Sequence, residues 1–375
     1  MLLAIGGAAF AAVSVASGHG SPLAAPPPLT LPPAVRASAA SVSRPLPDEI
    51  RGVHVTMALA NLPGKLDEYL ALKRYGLNTV ELDVKDENGE VGFVPSSVPL
   101  ARAIGAARPY YQPKVVARRV HAAGLYLIGR VVTFEDPIAS VRHPQFAIRR
   151  SDGSVWTTRA GLGWLNPYDR AAWRYDVDVA AAAARAGFDE IQFDYVRFPS
   201  DGDVTAMRFP GVHPQPMNET VPAFLRYAVK RLHPLGVRVS ADVFGLSATR
   251  DLGIGQHPHA VGRVVDAIYP MTYPSHYNPG EYNLPDPNAA PATTVADSLR
   301  DFRRALRGAR ALLVPWLQDF SLGRTYTYVD VAAQVQAARA ADTGGFMLWN
   351  AVGLYTPEAL APGARPMPVV PTPHL

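Results

Sequence analysis

Eight short runs rich in β-branched and aromatic residues recur along this chain, separated by longer segments of helical spacing. The runs are RGVHVTM (51–57), NTVELDVK (78–85), LYLIGRVVTF (125–134), DEIQFDYV (189–196), GVRVSADVFG (236–245), VVDAIYPMTY (264–273), ALLVPWLQ (311–318) and GGFMLWN (344–350). Segments such as LPGKLDEYLALKRYG, KVVARRVHAAG, DRAAWRYDVDVAAAAARAG, ETVPAFLRYAVKRLHPLG and TTVADSLRDFRRALRG lie between them. Several end in glycine just before the next run, and glycine stops a helix because it accepts the left-handed backbone of the C-terminal cap. Eight strand–helix units over about 300 residues predict an α/β fold, a single (β/α)8 TIM barrel. A doubly wound open sheet would carry a glycine-rich phosphate loop after its first strand. Here MALANLPGK follows RGVHVT, and no GxGxxG or Walker-type sequence follows any run.

The ends of the chain read differently. Residues 1–20 hold MLLAIGGAAFAAVSVASG, apolar and small but without a basic start, and are expected to be a signal or anchor segment. Residues 21–48, rich in Pro, Ala and Ser, are expected to be a disordered tether. The barrel domain is placed at 49–356 and a C-terminal tail at 357–375. The expected location is extracytoplasmic: secreted, periplasmic or anchored, with any membrane association through the N-terminal segment alone. The chain has no cysteine, which excludes disulfides, zinc–thiolate sites and thiol nucleophiles. Its net charge of +4 comes almost wholly from arginine, with only five lysines. No basic stripe or recognisable module accompanies that charge, so nucleic acid is not an expected partner.

Strand residues alternate faces. Glu81, Asp83 and Lys85 therefore share one face of the second strand, Gln192 and Asp194 one face of the fourth, and Ser240 and Asp242 one face of the fifth. With the apolar faces against outer helices, Asp83, Asp194 and Asp242 point into the barrel near its C-terminal mouth, where barrel enzymes hold their sites. A buried charge is costly unless paired, and Lys85 and Arg197 are the nearest counter-charges in sequence. A lone acid at a strand end can simply cap a loop. Three in register, with His276 and Asp319 at later junctions, point to chemistry. Glycosidic hydrolysis needs two carboxyl groups, one to protonate the leaving oxygen and one to attack or to activate water. Crowded acids separate their pKa values and so their roles. Asp194 and Asp242 are the expected catalytic pair, with Glu81, Asp83 and Asp319 as auxiliary acids. Acids and histidine can also hold a metal. However, there is no HExxH and no His-x-His on a strand, and His257 and His259 sit in a loop as HPH. No metal or cofactor is expected. Two long loops, 135–167 and 274–291, carry Trp156, Trp164, Tyr277 and Tyr282. Trp164 and the second loop are expected to border one cleft, with Tyr273 or Tyr277 exposed in it. The expected substrate-binding residues are Lys85, Trp164, Gln192, Arg197, Tyr273, His276, Tyr277, Trp316 and Trp349.

RGVHVT (51–56), NTVELDVKDENGEVGF (78–93), WLNPY (164–168), FDEIQFDYVRFPSDG (188–202), SADVFG (240–245), YPMTYPSHY (269–277) and GFMLWN (345–350) together resemble a family of bacterial glycoside-hydrolase-like TIM-barrel domains. That family looks related to α-1,4-polygalactosaminidases and divisome-associated glycosidases. The resemblance runs from about Ile50 to Thr356. It implies a glycoside hydrolase acting on a cell-envelope or extracellular polysaccharide, with a catalytic aspartate ending the fourth strand, the place of Asp194. It implies a partner acid at a later strand end, which Asp242 fits, and a positioning role for Asp83. The fifth strand offers aspartate where related barrels often carry glutamate, which leaves Glu81, Asp266 and Asp319 as alternates. Two other functions fit the same residues: a non-catalytic carbohydrate-binding barrel, and a metal-dependent polysaccharide deacetylase or phosphohydrolase.

Overall fold

Each of the eight runs forms a parallel strand in the computed structural model, which describes residues 44–211 and 215–366. The apolar run and most of the tether lie outside the described residues. The strands are β1 (Ile50–Val55), β2 (Thr79–Lys85), β3 (Tyr126–Val132), β4 (Glu190–Asp194), β5 (Arg238–Phe244), β6 (Ala267–Met271), β7 (Leu312–Leu313), β8 (Trp316–Gln318) and β9 (Gly345–Trp349). β7 and β8 are two pieces of one stave. Pro315 lies between them and has no N–H to give the ladder, and β6 pairs with both pieces. The staves follow sequence order, β9 returns to β1, and β5 pairs with β6 to complete the ring. The result is a closed barrel of eight parallel staves.

Helices surround it: α1 (Met57–Asn61), α2 (Lys65–Ala71), α3 (Pro99–Ala103), α4 (Pro113–Ala122), α5 (Pro137–Arg142), α6 (Arg170–Ala186), α7 (Met217–Leu232), α8 (Pro258–Gly262), α9 (Pro291–Ala305) and α10 (Tyr328–Ala340). α6 shows how the sequence sets its own limits. The Asp169 carboxylate accepts the Ala171 N–H at its start, and Gly187 closes it at φ 108°. No helix among the described residues is long and apolar enough to cross a membrane.

Two apolar cores result. The outer one fills the space between sheet and helices, where Phe224 of α7 meets Phe134, Trp173 and Phe193 at ring separations of 5.2, 5.5 and 5.2 Å. The inner one fills the barrel itself with Ile50, Tyr126, Ile128, Tyr269, Val314, Trp316 and Met347. A Cβ at Gly52 would collide with the Met347 sulfur, so glycine there lets the longer side chain fill the centre. Packed chain extends slightly beyond the expected domain limits. Leu46 packs on the inner core, and Ala359, Leu360 and Ala364 are buried past Thr356.

Strict alternation fails at one position. The pairing of β2 with β3 slips between Asp83 and Lys85, and such an irregularity re-aims the side chain beyond it. Lys85 therefore leaves the barrel interior. Its ammonium lies behind the sheet, 2.7 Å from Asp176 of α6, 2.8 Å from Asp136 and 3.1 Å from the Thr133 carbonyl. This corrects the inward placement of Lys85 and removes the ground for counting it as substrate-binding. All three charged groups are wholly buried, so removing the cation leaves two acids without compensation. Lys85→Met is expected to lower stability by about 3–5 kcal/mol. Urea unfolding measures it, and a loss within the error of the fit would contradict this role.

Candidate active site

Arg130, an inward residue of β3, gathers the acids of the mouth. Its Nε and Nη2 donate to Asp194 Oδ2 at 2.9 and 2.8 Å, and its Nη1 to Asp83 Oδ1 at 2.8 Å and Glu87 Oε2 at 3.3 Å. Only 3% of it is exposed. The other oxygen of Asp194 accepts the Tyr195 N–H at 2.7 Å. Tyr195 itself has φ 48°, a left-handed conformation that a non-glycine residue adopts only when its surroundings enforce it. The chain turns sharply off β4 at this point, directly after Asp194.

Asp242 lives in a different setting. Its Oδ1 accepts two neutral donors, Gln192 Nε2 at 2.6 Å and Trp316 Nε1 at 2.7 Å. It is 2% exposed. Burial first, then the charge of Asp194, pushes its pKa well above the carboxylate range. With both N–H donors on Oδ1, a proton belongs on Oδ2. Glu81 and His54 form a second protonated unit, with Nδ1 2.6 Å from Oε2. Burial pushes His54 down to about 4 and Glu81 up to about 8. The proton between them therefore resides on Glu81, the imidazole is neutral, and its Nε2–H faces Asp83 at 3.6 Å. The His54 ring stacks on Trp349 at 4.4 Å. Burial likewise lifts Asp83 to about 6, against the pull of His54 and Arg130.

Several expected residues gather here: Asp83, Asp194, Asp242, Glu81, Gln192, Trp316 and Trp349. Tyr273 is buried beside them, and after burial the charges of Asp242 and Asp194 raise its hydroxyl pKa. Others do not. Arg197 makes no hydrogen bond to Asp194. It donates to the Phe198 carbonyl and Ser200 Oγ and stacks against Trp164, Tyr195 and Phe244 at 4.9, 5.1 and 4.7 Å. Arg130 supplies the counter-charge instead. Trp164 is 1% exposed, and the Tyr277 hydroxyl is turned inward to Ser298 Oγ at 2.9 Å. The expected aromatic cleft wall is therefore packing. The 135–167 loop is braced by backbone pairing of Glu135 with Trp164, Ala147 with Leu165 and Thr157 with Gly163, which seats Trp164 inside. Asp319 spends both oxygens on the Thr356 N–H and hydroxyl, each at 2.7 Å, and holds the C-terminal segment. His276 is half-buried beside Tyr273 and Phe320, and burial lowers it to about 4. Asp266 bonds His233 and the Val239 N–H at the start of β6, away from the mouth.

Sequence reading missed His54, Arg130, Glu87 and Glu135. The first two had a signal: each is polar and sits on an inward face otherwise made of apolar or small residues. Glu135 had none, because it lies past the end of β3, where alternation no longer applies. It is buried beside Arg197, and burial raises it to about 7. Among the described residues no group of three or more His, Asp or Glu side chains is arranged to hold a metal ion.

A closed parallel barrel with interacting buried acids and bases at its C-terminal mouth defines a glycoside-hydrolase-like barrel. The chain belongs to the family described as "Putative glycosyl hydrolase domain", which matches residues 52–355. No curated protein matches it. Among solved structures, a hypothetical protein from Ruminiclostridium thermocellum ATCC 27405 is 35% identical, covering 51% of this chain and 97% of that one, with a TM-score of 0.47. The glycoside hydrolase domain of PgaB (BpsB) from Bordetella bronchiseptica is 13% identical, covering 81% and 94%, with a TM-score of 0.58. The catalytic domain of a β-amylase from Paenibacillus polymyxa is 12% identical, covering 85% and 97%, with a TM-score of 0.54. The last two share the fold.

Trp164→Ala tests the packing role. It is expected to cost about 3–5 kcal/mol in denaturant unfolding, the cost of emptying a buried aromatic site. An unchanged midpoint would return Trp164 to the surface.

Proposed function

We propose that this protein is a glycoside hydrolase acting outside the cytoplasm on a cell-envelope or extracellular polysaccharide. One observation carries the reading: Asp194 and Asp242 share a mouth but are held oppositely, one by a guanidinium and one by two neutral N–H donors. Two acids with environments that separate their protonation states are what acid–base cleavage of a glycoside requires. In this proposal Asp242 gives its Oδ2 proton to the glycosidic oxygen as the C–O bond breaks. Asp194 either attacks the anomeric carbon or takes a proton from the water that does. Arg130 keeps Asp194 and Asp83 in place, and the neutral Glu81–His54 pair adds no charge against the developing positive sugar.

The buried acids favour this reading over its two rivals. A binding module would need open aromatic surfaces, yet Trp164 and Tyr277 are packing. A metal-dependent hydrolase would need donors converging on one point, yet Asp83 and Asp194 converge on Arg130. The apolar N-terminal run supports export, and the narrower kinship to polygalactosaminidase and divisome-associated barrels belongs to the same proposal.

Digestion of a glycan library with mass-spectrometric detection of products tests it. Asp194→Asn is expected to lower kcat by about 10²–10⁴-fold in a protein that still folds, with a lowered melting temperature because Arg130 loses a buried anionic partner. Asp242→Asn is expected to slow substrates with poor leaving groups far more than activated aryl glycosides. Near-normal turnover by folded Asp194→Asn would end the assignment. The donor must be protonated, so activity is lost as pH rises through the raised Asp242 pKa. That alkaline limb should vanish in Asp242→Asn on an activated substrate, and its persistence would point to another acid such as Glu135.

A further inference from the structure

In a parallel barrel every outer helix runs back toward the strand N-termini, so the helix ends and the turns after them gather on the face opposite the mouth. On that face stand Lys73 and Arg74 before β2, Arg185 at the end of α6, Lys230 in the last turn of α7, Arg263 after α8 and Arg307 after α9. All six are exposed, and none has a carboxylate partner among the described residues. Lys73 gives one hydrogen bond to the Ala123 carbonyl. The exposed acids there are Asp48, Asp342 and Glu358, with Asp342 3.9 Å from Arg303. A cation in the last turn offsets the negative end of a helix dipole. That accounts for Arg185 and Lys230 but not for Arg307, which lies beyond its helix. Two open hollows extend the charge. One of about 570 Å³ is lined by Lys73, Arg74 and Glu358. One of about 660 Å³ between α9 and α10 is lined by Arg300, Arg303, Arg304 and Arg307. In the second, Asp297 and Asp301 pair with Arg300 and Arg304.

The chain also arrives on this face. Arg44 donates to the His121 carbonyl at the end of α4, and Leu46 packs on the inner core beside Ile50. Residues 1–43 carry a single formal charge, Arg36, and Met1 to Gly18 form an uncharged, largely apolar run. We propose that the base of the barrel rests on an anionic lipid surface, with the acid-bearing mouth turned away from it. The lipid choice follows from that apolar run, which stands N-terminal in sequence to the residues that enter the basic face. A cation held within a Debye length of an anionic bilayer raises binding about fivefold.

Vesicle flotation of the full chain tests this, with phosphatidylcholine alone and with phosphatidylcholine mixed with phosphatidylglycerol. The nearly uncharged N-terminal segment contributes similarly to both, so the difference reads the folded base. Joint reversal of Arg74, Arg185, Arg263 and Arg307 to Glu is expected to abolish that difference, a loss of at least about 100-fold in anionic-vesicle binding, while the melting curve holds. The same number of reversals on the mouth side, at Arg102, Arg108, Arg142 and Arg159, should leave it nearly intact, and added salt should weaken it. If the Glu set unfolds, the corresponding Gln set makes the comparison. Equal binding to both vesicles, or equal losses from the two sets of reversals, would overturn the proposal. So would a base set that loses binding to soluble polygalacturonate but not to vesicles, which would assign the face to an anionic polymer.

Discussion

The buried guanidinium of Arg130 is the interaction on which the mouth of this barrel depends. Taking a cation out of water costs several kcal/mol, and Arg130 is tolerated because Asp194, Asp83 and Glu87 surround it at 2.8–3.3 Å. The dependence runs both ways. Asp83 and Asp194 share a nearly dry space only because a positive charge lies between them. Asp242 and Glu81 make no hydrogen bond to the guanidinium and hold protons instead. One cation thus divides a cluster of acids into a charged part and a neutral part.

The neutral part is built as carefully as the charged one. Asp242 is met by N–H donors that carry no charge, Gln192 and Trp316. Glu81 meets a neutral imidazole that is itself stacked on Trp349. Lower in the barrel, Glu190 receives hydroxyl hydrogen bonds from Ser240 at 2.5 Å and Tyr126 at 3.1 Å, and burial raises its pKa too. Below the mouth the interior is therefore a layer of buried, hydrogen-bonded polar groups among aromatic rings. Little there screens a charge, so interactions at the mouth act at low effective dielectric. The one buried lysine, Lys85, is kept out of this space and pairs behind the sheet.

Much of the architecture was legible in the chain. Eight β-rich runs, helical spacing between them and glycine at the helix ends are local properties, and local properties repeated eight times admit few closures. The inward direction of Asp83, Asp194 and Asp242 was legible for the same reason, because alternation depends only on counting residues along a strand. Counting failed where the ladder slipped, at Lys85, and where the strand had ended, at Glu135. It also failed for the aromatic loops, since sequence cannot tell an exposed tryptophan from one braced inside by backbone pairing.

The sequence by itself determined the barrel, the order of its staves and the set of acids that could meet at its mouth, because these follow from periodicity and chain connectivity. Only the tertiary structure decided which acid faces which partner. Arg130 and not Arg197 bonds Asp194, although Arg197 is three residues away and Arg130 is sixty-four. In a closed barrel neighbouring staves bring inward residues within hydrogen-bonding reach whatever their separation along the chain. The turn after β4, with Tyr195 at φ 48°, leads Arg197 away to stack on Trp164.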